Sequence, residues 1–220
     1  VTSTSDCPSG VAVVAVDDHG ENAIMVVPGA NGQLHPDDVN HAADLIRQAD
    51  LLLVQLEVPL ATVAAAVSVA EQSDVPIILN PAPMPTSLPA EMTHVDVLCP
   101  NQSEASVILG RAVESIEEAC DAAQQIRTLG AKNVIITLGS SGAAVADPSG
   151  VRHIAPFPVT AVDTTAAGDA FAGALAVRLA SGDSLPTAAR FASAAGAIAA
   201  TRHGAQPSMP STDEVARLID

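Results

Sequence analysis

The apolar residues of this chain fall in short blocks, and the blocks alternate between a strand-like and a helix-like spacing. Gly10 to Val16 and Asn22 to Val27 are β-branched runs joined by Asp17-Asp18-His19-Gly20, a pattern that predicts a hairpin. Pro36-Asp37-Asp38 then supplies an acidic first turn for an amphipathic helix running to Gln48. Leu51 to Leu56 predicts a short buried strand, followed by an Ala-rich helix from Pro59 to about Gln72. Val75 to Leu79 is the next strand, stopped by Asn80-Pro81-Ala82-Pro83.

The alternation continues. Val95 to Leu98 predicts a strand, and Ser103 to Leu109 and Ser115 to Leu129 predict helices, the second closed by Gly130. Asn133 to Leu138 is a strand ending in Gly139-Ser140-Ser141-Gly142, with a short strand from Ala143 to Ala146 after it. Helices follow over Ala166 to Ala180, Pro186 to Thr201 and Ser211 to Ile219. Apolar strands alternating with helices predict an α/β fold with a mostly parallel sheet covered on both faces. No repeat or linker divides the chain, so residues 29–220 read as one core and residues 1–28 as an appended β flap. In such sheets ligands bind at the carboxyl ends of the strands. Three polar groups fall there: Gln55-Leu56-Glu57, Asn101 to Glu104, and Thr137 to Gly142.

Composition narrows the classes of function. Hydrophobic residues make up 48% of the 220, which excludes a disordered chain. The 25 acidic residues against 9 Lys and Arg give a net charge of −16, a field that repels nucleic acid and anionic membrane surfaces. No apolar stretch approaches the ~20 residues of a membrane span. Cys7, Cys99 and Cys120 are odd in number and widely spaced, as expected of reduced thiols in a cytoplasmic protein. The six histidines show no metal-ligand spacing and read as surface or capping groups.

The densest chemical signal is Asp163-Thr164-Thr165-Ala166-Ala167-Gly168-Asp169-Ala170-Phe171. Small residues ahead of a helix leave backbone N–H groups bare at its positive end, which suits a phosphate. A carboxylate in the first turn, Asp169, is placed to take a proton from an attacking hydroxyl. The alternative is structural: Asp163 or Thr165 caps the helix and Asp169 complements its dipole. GxxxxGK[ST] is absent, so a Walker-type nucleotide site is not supported. Asn101-x-x-Glu104 has capping-box form, Glu57 reads equally as a solvated loop charge, and Arg202 to Ser208 as a Gly-containing helix exit.

The signature 163–171 resembles that of the ribokinase-type carbohydrate kinases. Asn80 to Pro83, Pro100 to Ala105, Thr137 to Gly142 and Thr201 to Ser208 resemble segments of the same family in the same order, as does Gly29-Ala30-Asn31. Many members have Gly where Ala166 stands. The resemblance covers the chain from Pro8 onward. It implies a three-layer α/β/α fold with a small β lid, and ATP-dependent phosphorylation of D-ribose at the 5-hydroxyl. Alternatives within the resemblance are a deoxyribose, fructose or adenosine kinase, or a non-catalytic nucleotide-binding protein.

The resemblance also implies site residues. Asp169 would be the general base, with the amides of Ala166, Ala167, Gly168 and Asp169 as an anion hole. Glu57 and Asp169 would bind the sugar. ATP would lie against Asn101, Thr137, Leu138, Gly139, Ser140, Ser141, Gly142, Gly168 and Ser193, the last where some relatives have His. Glu104 would hold Mg²⁺ through water. Asp163, Thr165, Ala199, Arg202, Gly204 and Ser208 would enclose K⁺. The family pattern further implies a homodimer formed through the lid. It also places a first strand, a sugar-binding loop and half the lid ahead of the point matching Pro8. On that reading the 220-residue chain is expected to bind nucleotide weakly and to phosphorylate ribose poorly.

Overall fold

The computed structural model describes residues 3–16 and 22–220 and contains two sheets. Strands β1 (Val11–Val16) and β2 (Asn22–Val27) pair antiparallel as a separate ribbon. The hairpin expected from the sequence is present, although its Asp17 to Gly20 turn lies outside the described residues. Val11, Val13, Met25 and Val27 occupy paired positions and are all exposed.

The second sheet has six strands in sequence order: β3 (Leu52–Val54), β4 (Ile77–Leu79), β5 (Val97–Leu98), β6 (Asn133–Thr137), β7 (Ala143–Asp147) and β8 (Gly150–Ile154). The first four run parallel, and β7 and β8 each turn back antiparallel on their neighbour. Both faces are covered over the central parallel strands, which is why those read as nearly unbroken apolar runs. Leu79, Leu98, Val134, Ile136, Ala144 and Ala146 pack on one side with residues of α3 (Leu60–Glu71), α4 (Gln102–Leu109) and α5 (Ile116–Arg127). Their neighbours Ile78, Val97, Ile135, Ala143 and Val145 point the other way. They meet Phe171 and Leu175 of α6 (Ala167–Ala180), and Ala188, Ala189 and Ala192 of α7 (Leu185–Ala199). Helix α8 (Thr212–Ile219) packs outside α7 through Val215. The result is the three-layer arrangement.

Two elements differ from the sequence reading. The helix expected over Pro36 to Gln48 is two short helices, Pro36–His41 and Ala43–Arg47. They break at Ala42, whose N–H is shared between the carbonyls of Asp38 and Val39. Strand β8 was not legible because Arg152 and His153 interrupt its apolar pattern. It is an edge strand with Val151 and His153 turned to solvent, and the inward position between them is Arg152, which pairs with Asp147, so neither face carries an apolar run.

Candidate active site

The carboxyl ends of the parallel strands are stitched into one rim. The Asn80 amide donates to the Val54 carbonyl at 2.9 Å, and the Leu56 amide to that of Ala82 at 2.8 Å. The Asn80 side chain donates to the Cys99 carbonyl at 2.9 Å. Thr137 donates to the Pro100 carbonyl at 3.0 Å, and Asn101 and Thr137 form an isolated parallel bridge. These bonds bring Glu57, Asn101 to Glu104 and Thr137 to Gly142 to the same edge, as expected from strand polarity.

Helix α6 delivers its N-terminus to that edge. Leu179 and Ala180 at its far end share a pocket with Asp50, Leu51, Pro76 and Asn133, which lie at the opposite, amino ends of the strands. A 14-residue helix spans about 21 Å, so its first turn reaches the carboxyl side. Helix α7 begins in the same pocket with Leu185 and runs back, placing Arg202 to Ser208 beside the start of α6.

The first turn of α6 is uncapped. Its N-cap is Ala166, in the left-handed region at φ 59°, and no side chain bonds there. This removes the capping alternative for Asp163 and Thr165. Among the described residues, no protein acceptor takes the amides of Ala166, Gly168 or Asp169, whereas that of Ala167 reaches the Thr164 carbonyl at 3.2 Å. A Cβ built on Gly168 would meet nothing within 4 Å, so a ligand has free approach to these donors. Asp169 is exposed in the same turn, and lines a pocket of about 220 Å³ with Gly173, Phe191, Met209 and Thr212. Bare amides at a helix start beside a free carboxylate can hold a transferring phosphoryl group and accept a proton.

Asp163 organises the approach to this turn. Its Oδ1 accepts the Thr165 amide and its Oδ2 the Gly204 amide, both at 2.9 Å. Hydrogen bonds from the Thr165 side chain, the Gly204 amide and the Thr165 amide hold its carboxyl down at about 2. The Val162 and Asp163 amides both donate to the Ala200 carbonyl, which ties the loop to the end of α7. The sequence offered Asp163 and Gly204 only as separate ligands of a cation; their direct bond was not foreseen. Ser208 is fully buried with Oγ donating to the Ala205 carbonyl, and the Ala199 carbonyl accepts the Arg202 amide. Arg202 pairs with Glu214, which also completes the capping box of α8 with Ser211.

Asn101 and Glu104 do form the capping box of α4: Asn101 Oδ1 accepts the Glu104 amide at 2.8 Å, and Glu104 Oε2 accepts that of Asn101 at 2.7 Å. The structural reading therefore holds, yet Glu104 is unlike an ordinary cap because it is 6% exposed. Burial pushes its carboxyl above the usual range, against the Asn101 amide; burial, and then the Glu104 charge, push the Cys99 thiol up to about 12. Only Oε2 bonds within the protein among the described residues, leaving Oε1 for a hydrated cation. No three His, Cys, Asp or Glu side chains converge among the described residues. The oxygen-only set at Asp163, Thr165 and Arg202 to Ser208 suits a hard cation.

Glu57 is exposed, and its amide donates to the Gln55 side chain. The Ser193 hydroxyl is buried without a partner among the described residues, a state that asks for a ligand or water. His153, which the sequence reading placed with the surface histidines, bonds the Ser141 carbonyl.

Comparison with known proteins agrees with this fold. Residues 1–212 match the pfkB family of carbohydrate kinases. The chain is 38% identical over 217 residues to the ribokinase of Staphylococcus aureus, covering 98% of this chain and 71% of that one. It is 33% identical over 209 residues to the deoxyribokinase of Salmonella typhi, covering 94% and 68%. The structure of Arabidopsis thaliana ribokinase complexed with ribose and ATP superposes with a TM-score of 0.87 at 33% identity, covering 97% and 70%. With the six-stranded sheet and the uncapped α6 turn already in place, the chain belongs to the pfkB family of carbohydrate kinases.

Proposed function

We propose that the protein transfers the γ-phosphoryl group of ATP to the 5-hydroxyl of D-ribose. The observation that carries this reading is the first turn of α6, with unclaimed amides beside the exposed Asp169. The ribose hydroxyl oxygen attacks the γ-phosphorus while the bond to the β–γ bridging oxygen breaks and ADP leaves. Asp169 takes the hydroxyl proton and returns it to solvent. A carboxylate is a weak base toward a free alcohol, so the proton moves late, as the oxygen bonds to phosphorus. The amides of Ala166 to Asp169 hold the oxygens on which charge gathers. Asn101, Thr137 to Gly142, Gly168 and Ser193 receive the nucleotide, and Glu57 accepts from sugar hydroxyls. Glu104 would hold Mg²⁺ through water, and Asp163, Thr165, Ala199, Arg202, Gly204 and Ser208 would hold K⁺. Bound there, the cations would offset phosphate charge and help order the α6 loop.

Residues 1–28 act as a β lid on the core of 29–220, and the exposed Val11, Val13, Met25 and Val27 are the face through which two lids pair. Among the described residues no helix is long and apolar enough to cross a membrane; the widely spaced free thiols of Cys7, Cys99 and Cys120 support a cytoplasmic protein. The Salmonella deoxyribokinase relative favours deoxyribose as the second reading. ADP release with MgATP and a panel of D-ribose, deoxyribose, fructose and adenosine tests both. D-ribose is expected to give the highest kcat/KM, and a preference for deoxyribose would move the assignment to the second reading.

A further inference from the structure

The hydrogen bond between His153 and Ser141 carries an inference beyond the site residues assigned above. His153 Nε2 lies 2.6 Å from the Ser141 carbonyl, linking β8 to the turn that follows β6. A carbonyl oxygen only accepts, so Nε2 carries the proton and donates. The turn is otherwise closed on itself, with Ser141 donating to the Leu138 carbonyl, Gly142 to that of Gly139, and Leu138 to that of Gly142. Its β8 side is packed without slack. Gly142 has φ +88°, and a Cβ there would lie 2.1 Å from the Ile154 carbonyl oxygen and 2.9 Å from the Pro156 nitrogen. Its other end is open: Gly139 has φ +56°, and a Cβ there would meet nothing within 4 Å. One end of the turn is thus fixed by β8 and the other is free to receive a ligand.

We propose that His153 is a positioning residue for the nucleotide, holding the Gly139–Gly142 turn in the form that accepts ATP by pinning the Ser141 carbonyl against β8. The inference rests on reading this turn as a wall of the ATP pocket. His153 touches neither substrate nor the reacting atoms. Its loss loosens the turn and weakens nucleotide binding, while the chemistry at α6 is untouched.

The test is calorimetric titration with ATP and steady-state kinetics in both substrates, on the full chain and its His153→Ala and His153→Gln variants. His153→Ala is expected to raise Kd and KM for ATP by about threefold to tenfold, the scale of one hydrogen bond, with kcat and the sugar KM unchanged. His153→Gln keeps an N–H donor and is expected to restore ATP affinity. Wild-type ATP affinity in His153→Ala overturns the inference alone. So does a loss that falls equally on the sugar KM and is not restored by Gln, since that is general destabilisation. A wild-type chain that binds no ATP overturns the pocket reading and the inference with it.

Discussion

Asp163 and Gly204 are joined across the site by a 2.9 Å hydrogen bond from the Gly204 amide to Asp163 Oδ2, while Oδ1 holds the Thr165 amide just before α6. One carboxylate therefore fixes both the loop that precedes the proposed anion hole and the loop that follows α7. Position of the proposed anion hole thus depends on a group outside it.

Because those donors hold the Asp163 carboxyl at about 2, its ionised form is favoured in the fold. The ordinary carboxylate value is about 3.9, so the resulting stability is present above that pH and is lost as pH falls toward 2. Glu214, held at about 2 chiefly by the Arg202 side chain, adds to the same acid limb. Asp163→Asn should lower Tm at pH 7, and the gap from wild type should close as pH approaches 2. Thermal melts of both proteins from pH 7 to 2.5 check this; a gap constant with pH would contradict it.

Glu104 is set the other way. Burial raises its carboxyl, so its ionised form costs stability near neutral pH. Glu104→Gln keeps an acceptor for the Asn101 amide and removes the buried charge. The expected outcome is an equal or higher Tm at pH 7, with activity lower by about 10- to 100-fold at limiting Mg²⁺. Melts together with a Mg²⁺ titration of the rate distinguish this from a purely structural cap, which would leave the Mg²⁺ dependence alone.

Ala166 sits at φ 59° without a side-chain cap. Alanine in the left-handed region costs roughly 1–2 kcal/mol, and glycine loses roughly 0.5–1 kcal/mol more freedom on folding. Ala166→Gly should therefore raise stability by up to about 1 kcal/mol, read by urea denaturation. A loss of similar size, as for glycine inside a helix, would show that the strain is not there.

The oxygen donors of Asp163, Thr165 and Arg202 to Ser208 predict a monovalent-cation effect. Potassium chloride should give a higher rate than sodium or choline chloride at equal ionic strength, through ordering of the α6 loop. Equal rates in the three salts would remove potassium from the account.

Much of this was legible in the sequence. Strand polarity alone placed Glu57, Asn101 and Thr137 on one edge, because apolar runs such as Ile77 to Leu79 are buried on both faces and announce a parallel sheet. The helix at 166–180 was legible from its small residues, although which residue stands at its cap was not. That choice depends on where Asp163 sends its carboxylate, and its partner Gly204 lies far along the chain. Strand β8 and the His153 bond were illegible for a related reason. The inward face of this edge strand carries Arg152, satisfied by Asp147, instead of an apolar run, and a side-chain bond to a distant carbonyl leaves no periodic trace. The break at Ala42 likewise has neither glycine nor proline to announce it.

Asp169 is proposed as the base beside an anion hole made by the first turn of α6. The most direct measurement is kcat for Asp169→Asn, a near-isosteric change that removes the proton acceptor and leaves the amides in place. The account predicts a fall of at least ~10²-fold, the low end for a positioned base, with ATP affinity unchanged. A variant that kept the wild-type kcat would contradict it.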